Sequence, residues 1–371
     1  MFSIRETLKT MRHGQKGKAY VCKENHFARC FVLIALLLIS AAAAVALNRF
    51  HTDFEDLNDT DRQILSELDT FFKANGEEAV WQGYDIENRT ILAIGGALNG
   101  AYLVNPSDEP DSIFAAKINM PQDSALRVYR VSFLAPQTYA MRLEVGNFNT
   151  LDKTYDVFGD EVYFIKYNRK DSVEAPNSSR HFITFLTHEA FHYYMQNQWS
   201  DGSRFTGELS ENDIDLMAEE YDALAGIQAE LLRDSPSRET LLGYADAYVR
   251  AVEQRLEANP EYVQSELSME TVEGTAQYVG IRASRIVGYD YGVMYFDNTS
   301  NVSIAEVIPM FRSGGIDESF LSDRMPYETG ALLCCLLDAV GAQGWQERLN
   351  AQTLENTTTL HAVVKEYLAG V

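Results

Sequence analysis

Residues 182–196 read Phe-Ile-Thr-Phe-Leu-Thr-His-Glu-Ala-Phe-His-Tyr-Tyr-Met-Gln, and no other stretch decides as much about this chain. Phe182, Phe185, Leu186, Phe191 and Met195 recur at the interval of a helix with a face in the core. Four residues apart on that helix, His188 and His192 rise from one face and can meet at a single cation, with Glu189 beside them. Seven histidines in 371 residues make a chance H-E-x-x-H string a roughly one-in-a-hundred event. The pattern predicts a Zn²⁺ site in which His188 and His192 are ligands and Glu189 takes the proton of a metal-acidified water. The competing reading is two core histidines satisfied by hydrogen bonds, with Glu189 solvated.

Outward from this helix the chain divides. From about 180 to 371 the pattern is helical, with candidates at 182–197, 211–233, 238–258, 268–285, 326–340 and 359–369. Before it, a helix over 59–75 precedes a β-rich part, about 80–170, with strand-like runs at 90–94, 101–104, 126–134 and 161–168. Strands first and helices afterwards predict an α+β fold. Gly95-Gly-Ala-Leu-Asn-Gly100 lacks the glycine spacing of a nucleotide loop and reads as a tight turn between strands.

The N-terminus adds a membrane signal. No charged residue interrupts 30–47, CFVLIALLLISAAAAVAL, which is long enough to cross a bilayer as a helix. The 29 residues before it carry seven basic and two acidic side chains, which places this basic tail, 1–29, in the cytoplasm and 48–371 outside. Ala44-Val45-Ala46 leaves a cleaved signal peptide, and hence a secreted protein, as the alternative. The remaining 24 basic and 52 acidic residues leave a net charge of −28 on 48–371. That balance argues against nucleic acid and anionic membrane surfaces as partners. Cys334 and Cys335, the only cysteines after the apolar run, are adjacent in a helical apolar pattern and read as small core residues. Nothing in the sequence fixes an oligomeric state.

A catalytic zinc takes three protein ligands and keeps one position open. Two places offer the third: 268–280, with Glu270 and Glu273, and 216–225, with Glu219 and Glu220. Glu219 or Glu220 could also sit behind a ligand, and Glu270 could orient one.

Glu-Gly-Thr-Ala-Gln-Tyr, 273–278, resembles the Glu-Gly-x-Ala-x-Tyr segment of the gluzincin metallopeptidases, the superfamily that includes aminopeptidase N. Tyr327-Glu-Thr-Gly-Ala331 resembles a second segment of that group, so three motifs follow in the same order over about 180–345. The resemblance implies a zincin-like catalytic domain, Glu273 as third zinc ligand and Tyr327 as hydrogen-bond donor to the oxyanion. It also implies hydrolysis of a peptide or protein substrate, and it is nearest to uncharacterised bacterial membrane-associated members. The 80 residues between His192 and Glu273 far exceed the short spacer of aminopeptidase N relatives, and their Gly-x-Met-Glu-Asn segment is not recognisable here. A catalytically silent scaffold, or a zinc hydrolase of a non-peptide amide or ester, are the rival expectations.

Overall fold

The structure, a computed structural model, describes residues 29–76, 80–96, 100–199, 202 and 209–371. The basic tail expected at 1–29 falls outside the described residues except for Arg29, as do residues 97–99 of the expected Gly-rich turn. Helix α1, Arg29–Leu47, is long and apolar enough to cross a membrane or to serve as a signal sequence, and none of it is buried against the rest of the chain.

Helix α2, Asp59–Asn75, starts where the Asn58 side chain accepts the Asp61 N–H, and its Ile64, Leu65, Leu68, Phe71 and Phe72 are buried. The strands follow as β1 (Ile91–Ile94), β2 (Ala101–Val104), β3 (Ala115–Lys117) and β4 (Val128–Val131). After the short helix α3 (Tyr139–Leu143) come β5 (Tyr155–Val157) and β6 (Asp160–Lys166). They form one sheet in the order β3-β4-β2-β1-β6-β5, antiparallel except where β1 runs beside β6. Because side chains alternate across a strand, the sheet has two apolar faces. Ile91, Ala93, Tyr102, Tyr163 and Ile165 join the main core with the helices, whereas Leu92, Ile94, Leu103, Val131 and Phe164 form a second cluster with Met141 of α3.

The helices are α4 (Phe182–Met195), α5 (Glu211–Leu231), α6 (Arg238–Ala258), α7 (Pro260–Ile286), α8 (Val307–Arg312), α9 (Met325–Ala339), α10 (Trp345–Asn350) and α11 (Leu360–Ala369). The chain is therefore α+β, with the sheet in the first half and helices in the second. Two elements depart from their expected spans, the first being β4, which fills only Val128–Val131 of the expected 126–134. Helix α7 begins at Pro260, eight residues ahead of the expected 268, capped by Asn259 and with proline in its first turn. Its first two turns lack a clear apolar period because Glu266 occupies an inward position, tolerated where Arg255 of α6 meets it at 2.7 Å. Strands β3 and β5, three residues each at the two edges of the sheet, carry too little alternation to be read from sequence.

Cys334 is buried and Cys335 half-buried, both as free thiols on α9.

Candidate metal centre

Three helices converge on the H-E-x-x-H string, and small residues set how closely. Gly280 of α7 packs on α4: a Cβ there would lie 3.1 Å from the Thr184 carbonyl oxygen. The Thr184 and Ser284 hydroxyls share a hydrogen bond of 2.6 Å across the same contact. Gly274 of α7 meets Gly330 of α9 backbone to backbone, where a Cβ on Gly330 would stand 2.7 Å from the Gly274 Cα. Glu273 precedes the first of these glycines and Tyr327 lies one turn ahead of the second. The two close approaches thus deliver Glu273 and Tyr327 to the face of α4 that carries the histidines.

Nε2 of His188 and Nε2 of His192 are 3.2 Å apart, and Oε2 of Glu273 lies 3.5 Å from the first and 3.2 Å from the second. Donors bound at 2.0–2.1 Å to a tetrahedral Zn²⁺ are separated by about 3.3–3.4 Å, so this triangle has the dimensions of three zinc ligands. The donor chemistry fits as well. His192 donates from Nδ1 to Oε1 of Gln196 at 2.5 Å, which leaves the Nε2 lone pair directed to the triangle. Gln196 in turn donates from Nε2 to the Val272 carbonyl at 2.9 Å and to the Thr275 hydroxyl at 2.7 Å. This buried amide therefore ties the His192 ring to the turn of α7 that presents Glu273. Reading the sequence missed it, although its signal was there: Gln196 stands four residues after His192, on the same face of α4.

Electrostatics set two carboxylates apart. Burial pushes Glu273 up, but the His188 and His192 imidazoles beside it outweigh that and hold its carboxyl well below the usual carboxylate range. Burial raises Glu189 above its ordinary value, against the opposing pull of the same two imidazoles. His188, Glu189, His192, Glu273 and Tyr327 line one hollow of about 340 Å³, with Phe148 and Leu151 also in its wall. The Tyr327 ring lies parallel to that of His188, with centroids 5.9 Å apart and planes 7° from coincident. Its neighbour Glu328 is fully buried, pairs with Arg324 at 2.5 Å and accepts the Met294 N–H, which pins the first turn of α9.

The rival ligand candidates lie elsewhere. Glu219 is exposed, and Glu220 is buried in a bond from Arg255. Glu270 faces α6, where the Tyr248 hydroxyl donates to it at 3.2 Å. The other tyrosines near the motifs also point away. Tyr193 and Tyr194 pack on Tyr163 of the sheet, and Tyr278 donates to Asp338. A larger cavity, about 830 Å³, adjoins other faces of α7 and α9 at Arg282, Arg285 and Cys335, but none of the five site residues lines it. The convergent chemistry is in the smaller hollow.

No protein-family model, curated protein or solved structure matches the chain.

Proposed function

We propose that the chain is a membrane-anchored zinc metallopeptidase of the gluzincin type, with a zincin-like helical half that cleaves peptide bonds outside the cytoplasm. The observation that supports this best is the triangle of His188, His192 and Glu273, with Glu189 and Tyr327 on the same hollow. A bound Zn²⁺ would supply an acidified water and a Lewis-acid contact for the scissile carbonyl. Glu189 accepts the proton of the attacking water and then hands that proton to the leaving amine. Tyr327 donates its hydroxyl hydrogen to the oxyanion of the tetrahedral intermediate. Phe148 and Leu151 offer an apolar wall to a substrate side chain beside the bond. Gln196 holds the His192 ring in its ligand tautomer.

The position of Glu189 favours catalysis over a silent scaffold, because zinc binding alone needs no carboxylate at the water. Incubating the full-length chain with a peptide library and reading products by mass spectrometry tests the reading. Zinc-dependent cleavage lost in Glu189→Gln supports it. Intact peptides together with turnover of simple esters or amides would assign the hydrolase of non-peptide substrates instead.

A further inference from the structure

The chain leaves α1 without a linker. Directly after Leu47, Nδ2 of Asn48 donates to the carbonyl oxygens of Phe114 and Arg130, at 3.2 and 3.1 Å. The Arg130 guanidinium returns bonds to the carbonyls of Asn48 at 2.6 Å and His51 at 3.2 Å. The strand register says which end of the sheet this is. Ile94 pairs with Ala101 and Lys166, and Val131 with Ala101 and Ala115, so these residues share one end. Arg130 and Phe114 belong to it.

Length then constrains depth. Nineteen helical residues span about 28 Å, close to the roughly 30 Å hydrocarbon core, so a membrane-spanning α1 uses its whole length to cross. The bolted sheet end therefore falls within the roughly 5–8 Å headgroup layer on that side. Its surface suits the place. Leu143 is 83% exposed and Val145 100%, and Phe50, Ile113 and Tyr139 of the same end are also exposed. Beside them a hollow of about 360 Å³ is lined by Arg142, Lys166, Asn147 and Asn168, and Lys166 donates from Nζ to the Glu144 carbonyl at 2.6 Å. Burial lowers both Arg142 and Lys166, in Lys166 against the opposing pull of the Glu144 carboxylate, and Arg142 donates from Nε to the Thr138 hydroxyl at 3.1 Å; a bound anion would add to that pull. On the Ile113 side Glu109 and Asp111 share a hollow with Arg49 and Lys117, and on the α3 side the Glu144 carboxylate is taken up by Lys153 and Tyr155.

We propose that this end of the sheet docks on the bilayer that α1 crosses, with Leu143 and Val145 in the interfacial layer and a lipid phosphate between Arg142 and Lys166. The inference rests on α1 being a retained anchor. The net charge of −28 on 48–371 hides this local face, which joins apolar points to cations as interfacial anchors do. The segment that carries Val145 runs on to Phe148 and Leu151, so docking holds the metal hollow close to the membrane surface.

The test reconstitutes the full-length chain into phosphatidylcholine vesicles, with and without phosphatidylglycerol, using brominated acyl chains as fluorescence quenchers. Trp81, Trp199 and Trp345 are buried, so a tryptophan introduced by Val145→Trp or Leu143→Trp reports its own surroundings against the wild-type signal. Leu354→Trp is the control, an exposed position after Asn350, whose side chain bonds to Trp81 and Gln82 in the helical core rather than to the sheet end. The expected result is strong quenching at 143 and 145, little at 354, and a phosphatidylglycerol-dependent increase lost in the Arg142→Glu, Lys166→Glu double variant. An inserted chain with unquenched probes at 143 and 145 overturns the docking. Quenching indifferent to phosphatidylglycerol overturns the phosphate assignment, and a wild-type chain that fails to insert at all overturns the anchor and the docking together.

Discussion

Gly274 and Gly330 touch across the crossing of α7 and α9, with no room between the two backbones for a methyl group: a Cβ on Gly330 would lie 2.7 Å from the Gly274 Cα. The contact explains why a glycine follows Glu273 and another stands three residues after Tyr327. Only this close approach brings a carboxylate from one helix and a phenol from the other to the histidines of α4.

Gly330→Ala is accordingly expected to destabilise the fold by about 1–3 kcal/mol or more, since backbone atoms cannot give way as a side chain can. Gly274→Ala should do the same. Thermal unfolding of the full-length chain in detergent checks both, and an unchanged midpoint for either would mean that the helices separate at little cost.

The buried amide offers a separate handle. Gln196→Ala removes the acceptor for His192 Nδ1 and the two bonds to α7, so zinc affinity should fall by about 10–100-fold while the fold persists. Competition with a chelator measures it. Affinity equal to wild type would remove Gln196 from any part in ordering the ligands.

Much of this site was legible in the sequence, because spacing on a single helix is local information. The i, i+4 pair of His188 and His192 is fixed by the helical period, and the resemblance of its Gly-x-Ala-x-Tyr surroundings made Glu273 the candidate third ligand. What sequence left open was which of four glutamates reaches the histidines, since that depends on helix packing. Glu220 and Glu270 are as buried as any ligand, yet Arg255 and Tyr248 hold them on the other side of α7. The early start of α7 was hidden for the same reason: Glu266 is inward-facing only because Arg255 meets it. The bolt between Asn48 and Arg130 joins residues 82 apart and has no local signature.

That buried cluster makes stability depend on pH. Burial, reinforced by the nearby Glu220 carboxylate, pushes Glu270 from an ordinary 4.5 up to about 8. Over that window the folded chain keeps a proton that the unfolded chain has released, so this group's contribution is full below about 4.5 and is lost as pH rises through about 8. The melting temperature should therefore fall from pH 5 to pH 8 in wild type, and Glu270→Gln should flatten that slope. A slope unchanged in the variant would assign the pH dependence to other groups.

Chemistry and architecture separate at two side chains. Glu189→Gln should retain zinc and abolish turnover. Tyr327→Phe removes a single hydroxyl, and kcat should fall by about 10²–10³ with zinc and fold retained. A kcat within a few-fold of wild type would show that the phenol does not serve the oxyanion.

The central claim is that His188, His192 and Glu273 hold a zinc ion, and elemental analysis of the purified full-length chain tests it most directly. Wild type should carry stoichiometric zinc, lost in the His188→Ala, His192→Ala double variant, strongly weakened in Glu273→Ala and retained in Glu219→Ala. Full zinc occupancy in the double variant, or retention in Glu273→Ala with loss in Glu219→Ala, would contradict it.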